Sequence, residues 1–352
     1  MRLFQNSGLY PSYQKRLDNI ARAATTFQQR RNIFIDDRCG ACHLLLPVLS
    51  DDATAFFTNS DDVPMQKMWA REHGLSAKCS LETILLSQIE EHRTDVFYNM
   101  DPVRYQSAFV RRLPGCVRRS IAWRAAPSPS VDFSGYDVVV CNFPAILEGY
   151  RSRGWRAEYF SPAHDSVMDE YALNQDRPID VLFVGGYSRH HRRRSQVLES
   201  VAHLGRQYVV RMHLDQSRIT RLSETPAGWM LPLWRYRRPH FIRAASREAI
   251  FGRDLYRALS EAKIVLNGAV DMAGEERGNM RCFEAMGCGA AMVSDDGIYP
   301  LEMESQETMK LYRNPAQAVR AVEELLGNPD ECRTVAARGN EMMRTQYSKD
   351  RQ

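Results

Sequence analysis

Short apolar runs alternate along the chain with longer stretches that carry helical spacing or helix signals. In the first half, the runs that predict strands lie at 1–4, 32–36, 53–59, 95–99, 120–123 and 138–142. Helices are predicted between them at 14–30, 43–49, 64–72 and 80–91, with Ser80 as an N-cap and a further helix restarting at Asp101 and Pro102. This alternation predicts a parallel sheet with helices on both faces.

The second half repeats the same rhythm after an irregular, proline-bearing stretch at 159–178. Strands are predicted at 179–184, 207–212, 264–267 and 290–294, and helices at 253–262, 281–286 and 315–326. We therefore expect two Rossmann-like, doubly wound α/β domains, 1–165 and 166–352, with the last helix allowed to cross back. Ligands of such folds bind at the carboxyl ends of strands, so the active site is expected in a cleft between the domains.

The composition agrees with two globular domains and excludes several classes of protein. The chain has 352 residues, of which 44% are hydrophobic and 26% charged. No apolar run approaches the roughly 20 residues of a membrane-spanning helix. The first residues contain no apolar core of a secretory signal, so a cytoplasmic location is expected, with the inner face of the membrane as a refinement.

The basic residues are nearly all arginine, and they are unevenly distributed. The net charge is only +4, but dense basic runs lie at 189–194 and 235–238. Such runs suit the phosphates of a nucleotide, an anionic acceptor or a membrane surface. A solvated helix face is the alternative for most of these arginines.

A C-x-x-C-H pattern lies at residues 39–43. It matches covalent haem attachment, a redox pair or half a zinc site. Haem attachment requires export, and no second ligand pair lies at zinc spacing. We therefore interpret the segment as a turn from the strand at 32–36 into a helix beginning at His43. The eight cysteines are expected to be free thiols.

Two segments of the second half carry candidate chemistry. The first is Gly185-Gly186 directly after a predicted strand, followed by Arg189 and Arg194. Glycines here let the main chain approach a phosphate, a helix N-terminus favours an anion, and the arginines can close on a diphosphate. The G-x-G-x-x-G fingerprint is absent, so a nicotinamide site is not supported.

The second segment runs from Glu275 to Ala290. Glu276 and Glu284 are separated by seven residues, and the stretch between them reads Arg-Gly-Asn-Met-Arg-Cys-Phe. This E-x7-E spacing resembles that of many retaining GT-B glycosyltransferases. The N-M-R-x-F-E-A-x-G-x-G sequence from Asn279 resembles the donor signature of the spore-maturation-protein (CgeB-type) glycosyltransferase-like family, in the group 1 glycosyltransferase C-terminal domain. The similarity covers about 134–326.

The resemblance implies a GT-B fold and transfer of a sugar from a nucleotide-sugar donor. A carboxylate at a helix start can accept the hydrogen bonds of two ribose hydroxyls, which we assign to Glu284. Arg281 would balance the diphosphate or orient Glu284, and Asn279 would donate to sugar or phosphate oxygens. The resemblance implies that Glu276 lies near the donor sugar and favours retention of anomeric configuration. No cofactor is expected, and no metal site is indicated because the donor motif lacks an Asp-x-Asp triplet nearby.

A general base is sought on loops of the first half. Asp101 follows a predicted strand, and His43 has the appropriate pKa range, although each also suits a cap or a core edge. The expected partners are the nucleotide sugar, a glycan, lipid-linked, protein or small-molecule acceptor, and a membrane surface contacted peripherally by the tryptophan-rich stretch at 229–234. No nucleic acid is expected. The alternatives are a nucleotide-sugar epimerase and a non-catalytic GT-B-like module that binds a glycan or partner.

Overall fold

The computed structural model describes residues 1–76, 78–187, 191–268, 274–303 and 305–352. The chain divides into two compact units. Unit 1 contains Met1–Pro162, a short later segment that includes Glu276, and Gln352, whereas unit 2 contains the other described residues from Ala163 to Arg351.

Unit 1 is built on a parallel sheet of six strands. Its strands are β1 (Leu3–Ser7), β2 (Ala55–Asn59), β3 (Val96–Asn99), β4 (Arg119–Trp123), β5 (Val138–Cys141) and β6 (Ala157–Tyr159). They lie in the order β2-β1-β3-β4-β5-β6, with Leu3 opposite both Ala55 and Val96. Most positions of these strands are buried, as expected for a sheet covered on both faces.

The described residues of unit 1 form seven helices. They are α1 (Pro11–Ile20), α2 (Phe27–Asp36), α3 (Leu46–Leu49), α4 (Val63–Glu72), α5 (Leu81–Glu91), α6 (Ser107–Val110) and α7 (Pro144–Arg151). Ser80 caps α5 as predicted, because its Oγ accepts a hydrogen bond from the Thr83 N–H at 3.1 Å. The helix predicted at 64–72 is also confirmed as α4.

Several predictions for unit 1 are wrong, including the helix start at His43, because α3 begins only at Leu46. Residues 32–36 are the end of α2 and not a strand, because Thr26 and Gln29 form a capping box that starts a helix through this apolar run. The single helix predicted at 14–30 is therefore two helices, and the C-x-x-C-H segment follows a helix and not a strand. Asp101 and Pro102 lie in a turn, and the next helix begins only at Ser107.

Unit 2 has a second parallel sheet of six strands. They are β7 (Ile179–Gly186), β8 (Val210–Asp215), β9 (Ser246–Arg247), β10 (Ala262–Leu266), β11 (Ala291–Asp295) and β12 (Lys310–Tyr312). Their order is β12-β11-β10-β7-β8-β9. Strand order reverses between β10 and β7, and ligands of open parallel sheets bind at such a switch point, outside the carboxyl ends of the strands.

The described residues of unit 2 form nine helices. They are α8 (Met168–Ala172), α9 (Arg192–Ala202), α10 (Arg218–Ser223), α11 (Pro226–Trp229), α12 (His240–Ala245), α13 (Gly252–Ser260), α14 (Met280–Gly287), α15 (Pro315–Gly327) and α16 (Pro329–Gln346). The core between the sheet and α9, α12 and α15 is apolar, with Phe183, Val197, Leu266 and Val322 among its buried residues. The last helix packs on α14 and β11. No helix in the described ranges is long and apolar enough to cross a membrane.

Candidate active site

The N-terminus of α14 is fastened to the carboxyl ends of β10 and β11 by a chain of polar side chains. Asn279, the N-cap residue, donates from Nδ2 to Oδ1 of Asn267 at 3.2 Å. Asn267 in turn donates from its Nδ2 to Oγ of Ser294 at 3.0 Å, and its carbonyl accepts from the Tyr312 hydroxyl at 2.6 Å. The start of α14 is therefore held over the ends of three neighbouring strands.

Glu284 lies one turn into α14 and is almost completely buried, with 1% of its surface exposed. Its Oε2 accepts a hydrogen bond from Nη1 of Arg281 at 2.6 Å. Burial raises the pKa of Glu284, and the guanidinium of Arg281 opposes that rise. A buried carboxylate with one arginine partner is costly to keep, and such groups cluster at functional sites.

Arg194 lies between the ends of β7 and β10. A Cβ placed on Gly186 would be 3.7 Å from Nη2 of Arg194, and a Cβ on Gly268 would be 3.3 Å from its Cγ. Gly185 and Gly186 form the last two residues of β7, so the strand ends in the two glycines as predicted. The hypothesis for Arg189 falls on a residue outside the described ranges.

A second buried ion pair at this edge was missed by the sequence analysis. Nε of Arg277 lies 2.6 Å from Oδ2 of Asp295, and both side chains are less than a tenth exposed. The Tyr299 hydroxyl lies 2.6 Å from Oγ of Ser294 and 2.7 Å from the carbonyl oxygen of Asp295. Asp295 ends β11, and its position after a predicted strand was the signal that could have identified it.

The carboxyl edge of the unit 2 sheet therefore combines cations, a buried carboxylate and a helix N-terminus. Asn279, Arg281 and Glu284 share α14, while Gly186 and Arg194 flank it from β7 and α9. An N-terminus with free main-chain N–H groups and nearby arginines favours a diphosphate, and a carboxylate can accept hydroxyl hydrogen bonds.

Glu276 has a different environment from Glu284 although both belong to the E-x7-E pattern. Both of its carboxylate oxygens accept from the Ala145 N–H, each at 2.9 Å. Ala145 lies in the first turn of α7, so Glu276 places a negative charge at a helix N-terminus, where it is stabilised. Glu276 is 9% exposed and groups with unit 1.

Asp101 belongs to a charged group at the carboxyl ends of β1, β2 and β3. Its carboxylate lies 3.0 Å from Nε of Arg104, and Arg104 also reaches Asp61 at 3.4 Å. Asp61 accepts the Leu9 N–H on both oxygens, at 3.0 and 3.1 Å. Burial raises the pKa of Asp61. The sequence analysis missed Asp61, which follows β2 much as Asp101 follows β3.

His43 lies at the end of a 3₁₀ turn, Ala41–His43. Its ring packs on Trp123, with ring centroids 4.7 Å apart, and its carbonyl accepts from Nε2 of Gln5 at 3.0 Å. Cys39 and Cys42 nearby are not joined in a disulfide. Within the part of the chain that the structure describes, no three His, Cys, Asp or Glu side chains are grouped closely enough to hold a metal ion.

A cavity of about 510 Å³ in unit 2 lies at the opposite edge of its sheet. Its lining includes Arg177, Lys263 and Gly289, which precede or begin β7, β10 and β11. None of the predicted donor-binding residues lines it. This cavity therefore lies apart from the polar groups at the carboxyl ends of the strands.

Residues 193–352 match the family model described as glycosyl transferase-like. This match includes β10, α14 and β11, and therefore every described group at the unit 2 edge except Gly185 and Gly186. A search of the curated proteins found no match.

Solved structures extend the similarity to the whole chain at the level of fold. HepE of Anabaena, solved in complex with UDP-glucose, has a TM-score of 0.56 and 11% identity, covering 100% of this chain and 96% of its own. Sucrose-phosphate synthase of Thermosynechococcus elongatus has a TM-score of 0.53 and 12% identity, with the same coverage. A glycosyltransferase of Rickettsia africae has a TM-score of 0.54 and 8% identity, covering 99% and 94%.

Together these findings confirm the predicted GT-B fold of two Rossmann-like units. They also confirm the predicted class of enzyme, a glycosyltransferase, and give no support to an epimerase or a non-catalytic module. The chain has a GT-B fold, and its residues 193–352 are similar to the glycosyl transferase-like family.

Proposed function

We propose that the protein transfers a glycosyl group from a nucleoside-diphosphate sugar to an acceptor hydroxyl, with the donor bound at the carboxyl edge of the unit 2 sheet. The observation that carries this proposal is the buried Glu284–Arg281 pair beside the N-terminus of α14. A structural role alone would be filled at less cost by apolar side chains. HepE was solved with UDP-glucose, so a uridine nucleotide is the first donor to test.

The residues of this edge take separate roles in the proposal. Glu284 accepts the hydrogen bonds of two ribose hydroxyls, and Arg281 holds its carboxylate in place. Arg194 faces the diphosphate beside Gly186, where no side chain blocks the approach of a phosphate to the main chain. Asn279 orients the start of α14 and donates to donor oxygens. Glu276 is kept as a proposed neighbour of the donor sugar.

The reaction moves one bond and one proton. The bond between the anomeric carbon and the diphosphate oxygen breaks, and its electron pair leaves with the nucleoside diphosphate. The acceptor oxygen forms the new bond to the anomeric carbon and gives up its proton, through an oxocarbenium-like transition state. Arg194 and Arg281 stabilise the charge that develops on the leaving group. Retention of configuration is the outcome that the E-x7-E pattern favours.

Proton acceptance is proposed for the Asp61–Arg104–Asp101 group of unit 1. Asp61 is the stronger candidate because burial raises its pKa towards neutral pH, which improves a carboxylate as a base. Asp101 and His43 remain the candidates that the sequence analysis named. A retaining enzyme does not require a separate base, so this group serves equally to orient the acceptor hydroxyl.

The finer family and the acceptor are also part of the proposal. The Asn279-Met280-Arg281 signature favours the CgeB-type family over other GT-B families. The acceptor is a glycan, a lipid-linked glycan, a protein or a small molecule. A lipid-linked acceptor would require peripheral contact with a membrane, and unit 2 exposes apolar side chains suited to it.

The test is calorimetric titration of wild type and Glu284→Ala with UDP, GDP, dTDP, CDP, CMP and ADP. We expect one nucleotide to bind and the variant to lose that binding. If no nucleotide binds well-folded wild-type protein at millimolar concentration, the proposed donor site is wrong. If one binds with equal affinity to both proteins, the donor lies elsewhere in the chain.

A further inference from the structure

Large apolar side chains are concentrated on one exposed surface of unit 2, between β8 and α12. We call residues 218–243 the aromatic-basic surface. Its exposed members are Ile219, Leu222, Trp229, Met230, Leu231, Trp234 and Tyr236. Trp229 is 57% exposed, Trp234 59% and Met230 88%. These exposed apolar residues are grouped within one short stretch of chain, and grouped exposed apolar side chains mark an interaction site more often than residues scattered singly.

Arginines of this segment form ion pairs and hydrogen bonds within the fold, while its apolar side chains remain exposed. The Arg238 guanidinium is buried and forms a 2.7 Å ion pair with Glu224. Arg237 donates to the carbonyls of Ser223 and Gly228, at 3.0 and 2.9 Å. These bonds join α10 to the chain around α11. The segment is therefore held in a defined conformation, and its two tryptophans are exposed to solvent.

The charge of this surface is strongly positive. Residues 216–247 contain seven arginines and one acidic residue, Glu224. Glu224 is paired with Arg238 at 2.7 Å, and arginines far outnumber acidic residues in this range. The guanidinium of Arg237 lies 4.8 Å from the ring centre of Trp229, and that of Arg235 lies 5.1 Å from the ring centre of Trp234. Cations and aromatic rings thus occupy the same face.

This combination fits the interface of an anionic bilayer. Tryptophan is favoured at the level of lipid headgroups, where its ring is partly apolar and its N–H is hydrated. Arginine gains energy from anionic headgroups while its stem stays in an apolar environment. Exposed Leu and Met side chains can enter the acyl boundary beside the tryptophans.

We infer that the aromatic-basic surface docks unit 2 on an anionic lipid membrane. The surface follows β8 and precedes β9, at one end of the strand order, whereas the candidate donor groups belong to β7, β10, β11 and β12. Lipid binding and donor binding therefore use different residues. The inference specifies the membrane contact of the proposed function, but either can fail without the other.

The experiment is co-sedimentation of the full chain with large unilamellar vesicles. One set contains phosphatidylcholine alone, and the other contains added phosphatidylglycerol. We expect binding to the anionic vesicles that is at least about tenfold stronger than to the neutral ones and that weakens with added salt. Equal binding to both sets, or no binding to the anionic set, would overturn the inference.

Variants separate the surface from the rest of the chain. The double variant Trp229→Ser/Trp234→Ser is expected to reduce binding to anionic vesicles by at least about tenfold. The matched control, Leu173→Ser/Val209→Ser, removes two exposed apolar side chains outside the surface and should bind as wild type. Retained nucleotide binding by the double variant shows that it is folded and keeps its donor site. If both double variants bind anionic vesicles with the same affinity, the aromatic-basic surface is not the membrane-binding site.

Charge variants and a competitor complete the test. Arg218→Glu/Arg235→Glu should weaken binding to anionic vesicles, whereas Arg118→Glu/Arg320→Glu, also exposed, should not. Single-stranded RNA is added as a competitor. Tighter binding of RNA than of anionic vesicles, lost in Trp229→Ser/Trp234→Ser, would assign the surface to nucleic acid instead.

Discussion

The carboxyl edges of the two sheets hold charged side chains in opposite ways. In unit 2, Glu284 and Asp295 are buried and each is paired with an arginine 2.6 Å away. In unit 1, Asp61 and Asp101 share one half-exposed arginine at 3.4 and 3.0 Å. The carboxylates of unit 2 are almost fully buried, whereas those of unit 1 are 13% and 21% exposed and pair with an arginine that is 48% exposed.

This difference suggests that the two edges have different roles, with one binding the nucleotide and the other acting on the acceptor. A closely packed site can recognise a constant ligand, because each buried polar group is fixed before the ligand arrives. A site whose charged groups are partly exposed can accept a variable ligand at a lower desolvation cost. We therefore expect changes at the unit 2 edge to alter nucleotide affinity and changes at the unit 1 edge to alter turnover.

The largest effect is expected for Glu284→Ala. Nucleotide affinity should fall by at least about a hundredfold, and the free energy of unfolding by about 3 kcal/mol, because Arg281 is left without its buried partner. Calorimetry and denaturant unfolding measure the two changes. The matched control is Asp62→Ala, which breaks the buried Arg30–Asp62 pair of unit 1. It should lose stability but keep the affinity. A loss of affinity in both variants would mean that general destabilisation is the cause.

Asp61→Asn should affect turnover without affecting donor binding. Hydrolysis of the donor should slow by about a hundredfold if Asp61 accepts a proton, while nucleotide affinity stays within about twofold of wild type. Asp51→Asn changes an exposed aspartate of the same unit, paired with Arg31, and serves as the control. An unchanged hydrolysis rate in Asp61→Asn would show that Asp61 does not accept the proton. The group would then only orient the acceptor hydroxyl.

Arg194→Met should weaken nucleotide binding by about tenfold, because one charge-assisted contact to the diphosphate is lost. Arg192→Met, in an exposed position of the same helical turn, is the control. Titration with the nucleoside alone sharpens the result, since affinity for a ligand without phosphates should be the same in wild type and Arg194→Met. Equal weakening for nucleoside and nucleotide would contradict the phosphate role.

Gly289→Ala tests whether the return from α14 to β11, at the opposite edge of the sheet from the candidate site, is tightly packed. Gly289 has φ +72°, and an added Cβ would lie 3.2 Å from the Cα of Ala172. We expect a loss of about 1–2 kcal/mol in the free energy of unfolding, from left-handed backbone strain together with close contact. Gly149→Ala in α7 of unit 1, where nothing lies within 4 Å, should be neutral or slightly stabilising. Equal effects would contradict the packing difference between the units.

The smallest effect is the pH dependence that Glu284 imposes on stability. Because burial raises its pKa above the ordinary 4.5, the folded chain keeps this proton at pH values where the unfolded chain has lost it. The contribution of Glu284 to stability therefore declines as the pH rises from 4.5 towards the raised pKa. Glu284→Gln cannot ionise, so its melting temperature relative to wild type should increase over that range. A difference that does not change with pH would mean that the pKa is not raised.

Local patterns in the sequence were sufficient for much of the fold. Buried strands such as β5 and β11 and amphipathic helices such as α5 and α15 carry their own periodicity and caps, so they could be predicted from short windows. The failures arose where two local signals competed. Residues 32–36 have the apolar character of a strand, but the Thr26 capping box starts a helix that continues through them. The short β9 and β12 have too few residues to carry a pattern.

The sequence by itself determined the class of fold and the segment that carries α14, because these depend on periodicity and on residues close together in the chain, and the resemblance of that segment to a known family implied the enzyme class. Only the tertiary structure decided which distant residues meet. Arg277 pairs with Asp295, Asp61 with Arg104, and Glu276 with the start of α7. The physical reason is that parallel strands bring their carboxyl ends to one edge, so side chains far apart in sequence become neighbours there. Charge compensation then selects the partners, and no local pattern records that selection.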